Sequence, residues 1–434
     1  MIETGERTTD LGVNLLKRAL IAAAAAVAAL TAASSALAAQ PYPVNFHTFD
    51  LAGGATTGLT LGASGLQLAA GGTSLTDPPY VDPYANYNGD GVNGSGTYRY
   101  GTWTSPVYPL TFAFNELVSS WNATTPDGTW VEAAVKPQLD DGHWAGKFYI
   151  LGRWSSGDAT FHRTSVGGQG DADGYVAIDT FFAKDHPAVA YQLQLKLFSN
   201  NAETPSVTRF SAVASNLTNQ KNVFPSRTTM KTDVNLHVPR YSQETHHGEY
   251  PQFDGGGEAW CSPTSTAMVV KFWGVEPTAA DYGSMVPQYP DMAVDYTARM
   301  VYDYHYNGAG NWPFNTAYAA SRGLVADVTQ LHNLAEAEQF IKAGVPLITS
   351  VAWSSNKLDT AIKSTNGHLM VIVGFKKDGS VIANDPASPD DASVEHVYDR
   401  EQFERAWIPA SGGIVYVDRP AGKLAESALT ANNS

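Results

Sequence analysis

Alternating hydrophobic and polar residues predict short β-strands throughout the first half of the chain. The clearest alternation lies in residues 191–197 (YQLQLKL), and residues 131–135 and 147–151 are also strand-like. Turn signals such as residues 126–128 (PDG) separate runs of this kind. Because no stretch between residues 41 and 224 has convincing helical periodicity, we expect an all-β sandwich or jelly-roll domain here.

The pattern changes in the second half, where helices are expected as well as strands. Residues 260–274 (WCSPTSTAMVVKFWG) predict a helix that is buried on most of its circumference, with a start at residues 262–264 and a stop at Gly274. Residues 334–343 predict another helix, and residues 345–353 predict a buried strand. A mixture of this kind indicates an α+β domain.

Length and composition support this division into two domains. A chain of 434 residues is too long for one ordinary core, and its 43% hydrophobic and 11% aromatic residues are typical of a globular protein. We expect the two domains to fold separately. The predicted organisation is a signal peptide over residues 1–38, the β-domain over 41–224, a linker over 225–233, the α+β domain over 234–420 and a flexible tail over 421–434.

The start of the chain has the features of a secretory signal. Lys17 and Arg18 precede an alanine-rich apolar stretch, residues 19–30, which is short for a membrane anchor. Residues 36–38 (ALA) fit the small-x-small cleavage pattern, so we expect cleavage near Ala38. An uncleaved anchor is the alternative. We therefore expect a protein that is secreted, periplasmic or displayed on the cell surface, without a transmembrane anchor.

Charge and cysteine content narrow the classes of function. A formal net charge of -15 disfavours binding to nucleic acid and to anionic membranes. The chain contains one cysteine, Cys261, so an exported protein of this kind cannot form a disulfide within the chain. A lone thiol often serves as a small buried hydrophobic residue, but in an exported protein a reactive role is the better interpretation.

Residues around Cys261 indicate nucleophilic catalysis. The thiol is expected at the amino end of a helix, where unpaired amides and the helix dipole favour the thiolate. An apolar strand begins at His368, a hairpin turn is expected at residues 378–379 (DG), and the returning strand ends at Asp385. Antiparallel pairing brings His368 and Asp385 to the same end of the hairpin, within reach of a hydrogen bond.

These residues supply the groups that a cysteine nucleophile needs. The thiolate attacks a carbonyl, the imidazolium protonates the leaving amine, and the carboxylate orients the ring. The backbone amide of Cys261 is one donor for the oxyanion, and the side-chain amide of Gln243, upstream in an extended segment, is expected as the other.

Several motifs together resemble the bacteriocin-processing (double-glycine leader) peptidase-like family of cysteine peptidases. They are residues 238–239 (VP) with 242–243 (SQ), 260–265 (WCSPTS), 367–368 (GH) and 384–386 (NDP). The resemblance covers residues 237–417 and implies a papain-like fold, a peptide or protein substrate and no cofactor. It also implies a role for each of four residues: Cys261 as nucleophile, His368 as general base and acid, Asp385 as orienting carboxylate and Gln243 as oxyanion-hole donor.

Two other functions use the same sequence features. The same triad could act as an amidase or acyltransferase on cell-wall peptides. The second domain could instead be a catalytically silent scaffold, with a β-domain that binds glycans or proteins. The intact triad favours an enzyme over a silent scaffold.

Three further groups of residues have alternative interpretations. Asp171, Asp173 and Asp179 offer oxygen ligands for calcium, but a turn with solvated carboxylates is preferred. The neighbouring His246 and His247 could bind a metal, but adjacent residues on an extended chain point apart, so a solvated loop is preferred. Five tryptophans could line a sugar-binding face, although packing within sheets is preferred: Trp103, Trp121, Trp130, Trp144 and Trp154.

Overall fold

The computed structural model describes residues 42–433, with gaps at 88–89, 94, 221–224, 355–357 and 359–361. The expected signal peptide, residues 1–38, lies outside the described residues and stays a prediction. Within the described ranges, no helix combines the length and the apolar character needed to cross a bilayer.

The first half of the structure is built from antiparallel strands, as the alternation predicts. In chain order these are β1 (Val44–Thr48), β2 (Ala55–Thr57), β3 (Leu59–Gly62), β4 (Gly65–Leu68), β5 (Thr73–Tyr80), β6 (Gly96–Thr104), β7 (Tyr108–Phe114), β8 (Glu116–Thr124), β9 (Thr129–Leu139), β10 (Tyr149–Trp154), β11 (Gly174–Ala177), β12 (Thr180–Ala183), β13 (Ala188–Ser199) and β14 (Ser206–Ser215). The expected alternation is present in β13, where Leu193, Leu195 and Leu197 are fully buried between partly exposed polar residues.

These strands form two seven-stranded sheets. One has the order β11-β12-β8-β14-β4-β3, with β1 also paired to β14, and the other has the order β10-β9-β13-β6-β2, with β5 and β7 attached. Side chains from both sheets, including Trp121, Phe210, Trp103 and Leu195, belong to one hydrophobic core. The β-rich character of this half is therefore confirmed, and the finer assignment to a jelly roll stays a prediction.

The second half contains a third seven-stranded antiparallel sheet with helices. Its strands are β15 (Val234–Asn235), β16 (Val325–Gln330), β17 (Leu347–Trp353), β18 (Thr365–Phe375), β19 (Val381–Asn384), β20 (Glu395–Tyr398) and β21 (Ile414–Arg419), in the order β16-β21-β17-β18-β19-β20 with β15 on β18. The helices of the described chain are α1 (Cys261–Phe272), α2 (Met292–Val301), α3 (Trp312–Ser321), α4 (Leu334–Lys342), α5 (Arg400–Ser411) and α6 (Glu426–Thr430). The mixed α and β character is confirmed, and α1, α4 and β17 lie where the sequence predicts them.

The two halves share one packed interior, which differs from the expectation that they fold separately. Residues from Tyr42 onward form one compact unit. Phe314 of α3 packs into the core of the β-rich half, and Val44 and Val213 pack into the core of the other half. The side chain of Asn122 exchanges hydrogen bonds with the backbone of Ala326, at 2.6 and 3.2 Å. The compositional boundary therefore marks a change of secondary structure and not a gap in the packing.

The flexible tail expected over residues 421–434 stays a prediction, and its described residues make specific contacts with the β-rich half. They include helix α6, and Glu426 on that helix accepts hydrogen bonds from Thr48 and Arg209 of the β-rich half, at 2.5 and 2.7 Å. Asn433 exchanges two hydrogen bonds with the backbone of Phe46, at 2.7 and 2.9 Å. The polar side chains of these residues satisfy backbone groups of β1 and join a buried ion pair network.

Four of the five tryptophans pack as core residues. Trp103, Trp121 and Trp154 are fully buried, and Trp130 is nearly so. The carboxylates proposed for calcium are held by protein donors. Asp171 forms an ion pair with Lys147 at 2.8 Å, and Asp179 is buried and accepts from the amide of Trp312 at 2.7 Å. The preferred interpretation, a solvated carboxylate, is therefore wrong for Asp179. Its carboxylate instead stabilises the start of α3.

Candidate active site

Cys261 is the first residue of helix α1, and a glycine turn places it there. Gly255, Gly256 and Gly257 have φ values of 74°, 68° and 58°, which favour glycine. A Cβ on Gly256 would lie 1.9 Å from the carbonyl oxygen of His246. The indole of the buried Trp260 donates to the carbonyl of Phe253 at 2.7 Å and anchors the end of this turn. Cys261 is only partly buried.

Buried polar contacts fix helix α1 against the sheet. Residues 262–270 are buried. The hydroxyl of Ser262 lies 3.0 Å from that of Tyr416, and Ser265 donates to the carbonyl of Leu369 at 3.2 Å. Since Leu369 follows His368 on β18, the second contact ties the nucleophile's helix directly to the strand that carries the imidazole.

The hairpin brings His368 and Asp385 together, as the sequence predicts. His368 lies on β18, Asp385 directly follows β19, and the two strands pair antiparallel. His368 Nε2 is 2.7 Å from Asp385 Oδ1, and both side chains are buried. Because Nε2 is engaged by the carboxylate, Nδ1 is the ring nitrogen left for a second partner, and Cys261 is close enough to contribute to the electrostatics of the ring.

The electrostatics of this pair favour an imidazolium and a carboxylate. Burial lowers the pKa of His368, but the charge and hydrogen bond of Asp385 outweigh it, and with Cys261 they raise that pKa to about 10. Burial likewise opposes the charge on Asp385, yet His368 and Tyr398 hold the pKa of that carboxyl below its ordinary value. The two shifts agree, so the pair is charged at neutral pH.

The structure adds two residues to this site that sequence reasoning missed. Tyr398, on β20, donates from its hydroxyl to Asp385 Oδ2 at 2.8 Å. Trp353, at the end of β17, meets the His368 ring edge to face, with centroids 6.0 Å apart. Both are brought in by strands whose register the sequence does not reveal. An aromatic residue near the end of a predicted strand was the only available signal.

Tyr306 is close enough to Cys261 for an electrostatic interaction and was also missed. Its side chain is 45% exposed, and burial followed by proximity to Cys261 raises its pKa.

Gln243 is tied to both loops of the site through its backbone. Its amide donates to the carbonyl of Pro386 at 2.8 Å, and its carbonyl accepts from Gly257 at 3.2 Å. The side chain is buried, and its Nε2 donates to Glu244 at 3.0 Å. The structure therefore joins Gln243 to the loops that carry Asp385 and Cys261. Its role as an oxyanion donor stays a prediction.

The neighbouring histidines differ from each other. His247 is exposed, but His246 is buried and its Nδ1 lies 2.7 Å from Glu249 Oε2. Two adjacent side chains do point apart, as expected, yet the preferred reading of a solvated loop is wrong for His246. The glycine turn folds the loop back over the His246 ring, and no local sequence pattern predicts this burial.

Comparison with known proteins finds two family matches. Residues 45–215 match the Peptidase C39 N-terminal domain, and residues 235–415 match the Peptidase C39-like family. No curated protein sequence shows significant similarity to the chain.

Two solved structures are similar over part of the chain. One is a C39-like peptidase from Bacillus anthracis, with 17% identity and a TM-score of 0.27, covering 43% of this chain and 96% of the other. The other belongs to work on carbohydrate-binding modules of the β-sandwich superfamily, with 8% identity and a TM-score of 0.16, covering 41% and 57%. At these TM-scores neither likeness carries weight by itself, and the two family matches are what support the peptidase C39 family.

Proposed function

We propose that this chain, whose two family matches support the peptidase C39 family, is an exported cysteine peptidase that hydrolyses peptide bonds. The observation that carries the proposal is the arrangement of Cys261 at a helix start beside a charged His368–Asp385 pair. Export rests on the features of residues 1–38 and is part of the proposal. The substrate is a peptide or a protein segment that can reach the partly exposed thiol.

The first half of the reaction forms a thioester. The Cys261 thiolate attacks the carbonyl carbon of the scissile bond, and the carbonyl π electrons move to oxygen. The oxyanion accepts from the backbone amide of Cys261, which lies in the first turn of α1 where amides have no helical acceptor. As the tetrahedral intermediate collapses, the C–N bond breaks, and His368 Nδ1 gives its proton to the leaving amine.

The second half of the reaction returns the enzyme to its starting state. His368 Nδ1 takes a proton from water, whose oxygen attacks the thioester carbonyl. Collapse of that intermediate breaks the C–S bond, releases a carboxylic acid and restores the thiolate beside imidazolium. Asp385 and Tyr398 hold the ring in one orientation through both steps. Gln243 Nε2 joins the oxyanion hole when it turns from Glu244 toward the substrate.

Substitution of the triad tests this proposal. Cys261→Ala and His368→Ala should each abolish turnover of a peptide library, and the double variant should be little worse, because members of a triad act as one unit. His186→Ala, which changes an exposed histidine, is the matched control and should keep full activity. Gln243→Ala should lower kcat by roughly two to three orders of magnitude. A folded His368→Ala protein that retained substantial hydrolysis would refute the assignment.

Alkylation separates an enzyme from a silent scaffold without knowledge of the substrate. An imidazolium next to sulfur favours the thiolate, so iodoacetamide should label Cys261 rapidly even below neutral pH. His368→Ala should remove this low-pH rate. If the labelling rate instead rose only through about pH 8 to 9 and did not change in His368→Ala, the protein would be a silent scaffold and not a peptidase. Transfer of the acyl group to added amines, in place of water, would favour the amidase or acyltransferase alternative.

One surface of the β-rich half favours a second role, retention on a polysaccharide. Outward-facing residues of β6, β9 and β13 form an aromatic groove of about 380 Å³. Trp130 is stacked between Phe161 and Phe198, at 4.8 and 5.0 Å, and makes a rigid base. Tyr98 and Tyr100 on β6 are partly exposed beside it. Aromatic faces of this kind pack against the apolar faces of sugar rings.

Charged side chains in the same groove provide hydrogen bonds for sugar hydroxyls. Glu132 is buried and paired with Arg153 at 2.8 Å and Lys196 at 3.2 Å. We therefore infer that the groove binds a polysaccharide strand and holds the peptidase at a cell surface. Tyr98→Ala and Tyr100→Ala should lower co-sedimentation with purified cell walls, whereas Tyr175→Ala, an exposed tyrosine of the other sheet, should not. Equal retention of all three variants would contradict this role.

A further inference from the structure

A buried group of one histidine and two carboxylates lies outside the triad. His246 and Glu249 belong to the loop between Gln243 and Cys261, and Asp295 lies in the first turn of helix α2. His246 Nδ1 is 2.7 Å from Glu249 Oε2 and 3.4 Å from Asp295 Oδ2. One possible ligand atom from each residue lies within 4.8 Å of the others. We call these three residues the loop cluster.

The carboxylate of Asp295 lacks hydrogen-bond donors among the described residues of the loop cluster and its surroundings. Its side chain is fully buried, and neither carboxylate oxygen has a hydrogen-bond partner among the described residues. A buried carboxylate without donors is costly unless a cation compensates it. The nearest arginine on the same helix, Arg299, is already paired with Asp158 through two contacts of 2.7 and 2.9 Å.

Negative charge also exceeds positive charge in this group. The ring of His246 lies within 3.4 Å of the carboxylates of both Glu249 and Asp295. Asp291, before the same helix, contributes further negative charge near His246. One imidazolium therefore faces two carboxylates at close range and a third farther away.

We propose that His246, Glu249 and Asp295 bind a divalent transition-metal ion of the Zn²⁺ class. One imidazole nitrogen and two carboxylate oxygens form a ligand set that zinc accepts, with water in a fourth position. For bonds of about 2.0 to 2.1 Å, neighbouring ligands of a tetrahedron are about 3.3 to 3.4 Å apart. The distance between His246 Nδ1 and Asp295 Oδ2, 3.4 Å, matches that spacing, whereas the 2.7 Å hydrogen bond between Nδ1 and Glu249 Oε2 must lengthen when the ion binds. Three ligands are too few for calcium, which needs six to eight oxygens.

Metal binding at this position would hold the loop that joins Gln243 to Cys261. The amide of His246 donates to the carbonyl of Gln243 at 3.1 Å, and its carbonyl lies against the glycine turn. This metal site can be tested without the proposed peptidase activity, because zinc affinity and thermal stability are measured in place of turnover.

Zinc titration of the full chain tests the proposal. Cys261→Ala is the reference, since it removes a thiol and imidazole pair that could bind zinc elsewhere. After treatment with a chelator, this protein should bind one Zn²⁺ and its Tm should rise. Adding Asp295→Asn, of the same shape, or His246→Gln should weaken binding by more than about 100-fold, beyond the loss typical of an outer-shell partner. Asp185→Asn, at an exposed carboxylate of the β-rich half, is the matched control and should leave affinity unchanged.

The Asp295→Asn variant also distinguishes a metal site from a proton-bridged cluster. Without metal it should be more stable than the reference, because a buried charge without a hydrogen-bond donor among the described residues is gone, but zinc should no longer raise its Tm. Cobalt bound to the reference protein should show the intense visible bands of tetrahedral coordination. Equal zinc affinity in the reference and both ligand variants, or no stoichiometric binding, would overturn the proposal. His246→Gln keeps the test decisive if Asp295→Asn does not fold.

Discussion

Asp385 is the residue on which the orientation of the imidazole depends. Its Oδ1 accepts from His368 Nε2 at 2.7 Å and from the amide of Ala387 at 3.0 Å, and its Oδ2 accepts from Tyr398. Three donors keep a fully buried carboxylate ionised and in one rotamer. Because its observed hydrogen bond reaches the imidazole only through Asp385, we regard Tyr398 as a positioning residue.

Tyr398→Phe should weaken the site without destroying it. Loss of one hydrogen bond to a charged acceptor is worth about 1.5 to 3 kcal/mol, and we expect kcat/KM to fall about 10-fold. The acid limb of the pH profile should move to higher pH, because Asp385 is easier to protonate without this donor. Tyr175→Phe, at an exposed position, is the control. An unchanged acid limb would show that Tyr398 has only a packing role.

The same pair makes stability depend on pH in a defined direction. The pKa of His368 is raised to about 10, so its contribution is complete below about pH 6.5 and is lost as pH rises through about 10. The pKa of Asp385 is lowered, so its contribution is present above its ordinary pKa and is lost as pH falls through the folded value. The free energy of unfolding should therefore fall between pH 7 and 10.

Urea unfolding at several pH values checks this expectation. The alkaline decline should be smaller in His368→Gln than in the wild-type protein, because the variant has no proton to lose there. Comparison of the two proteins cancels the titration of tyrosines elsewhere. Parallel declines in both proteins would mean that His368 does not carry the linkage.

At the scale of elements, the glycine turn before α1 controls where the nucleophile lies. Gly256→Ala adds a Cβ at 1.9 Å from a backbone oxygen in a residue with φ of 68°. Since backbone cannot move aside cheaply, the start of α1 should shift, and we expect activity to fall more than 100-fold with a loss of stability of about 1 to 3 kcal/mol.

Gly274→Ala is the control that separates the effect of backbone strain from the effect of the steric clash expected in Gly256→Ala. Gly274 has a similar φ of 71° and nothing within 4 Å of an added Cβ, and it lies at the other end of the helix. That variant should lose only about 1 to 2 kcal/mol and keep its activity. Equal activity of the two variants, measured as kcat/KM, would show that the glycine turn does not position Cys261.

At the scale of the whole molecule, the two halves should unfold together. Asp327 of β16 is buried and bound by Arg209 of β14 at 2.6 Å and by Arg419 at 3.0 Å, and Phe314 lies in the core of the β-rich half. Calorimetry should show one transition whose van't Hoff and calorimetric enthalpies agree. A chain truncated to begin at Lys231 should aggregate, because it exposes these surfaces. Two separate transitions, or a soluble truncated chain that unfolds cooperatively, would contradict this.

Local pattern was sufficient for much of this protein. The alternation in β13, the apolar helix α1 and the turn at residues 378–379 are determined by neighbouring residues, so the sequence alone predicts them. The hairpin then brings His368 to Asp385, because antiparallel pairing carries both residues to its open end, although a bulge between Ile372 and Gly374 shifts the register.

Tertiary structure decided what lies around these elements. Tyr398 meets Asp385 across a strand pair, His246 is buried under a glycine turn against Asp295, and α6 is held against β1 by Glu426 and Thr48. Each of these contacts joins residues that no short sequence window contains, and each depends on which buried polar groups find a partner. The burial of residues from one half in the core of the other has the same cause. The hydrophobic effect is not directional, so which surfaces pack together is determined only when the whole chain folds.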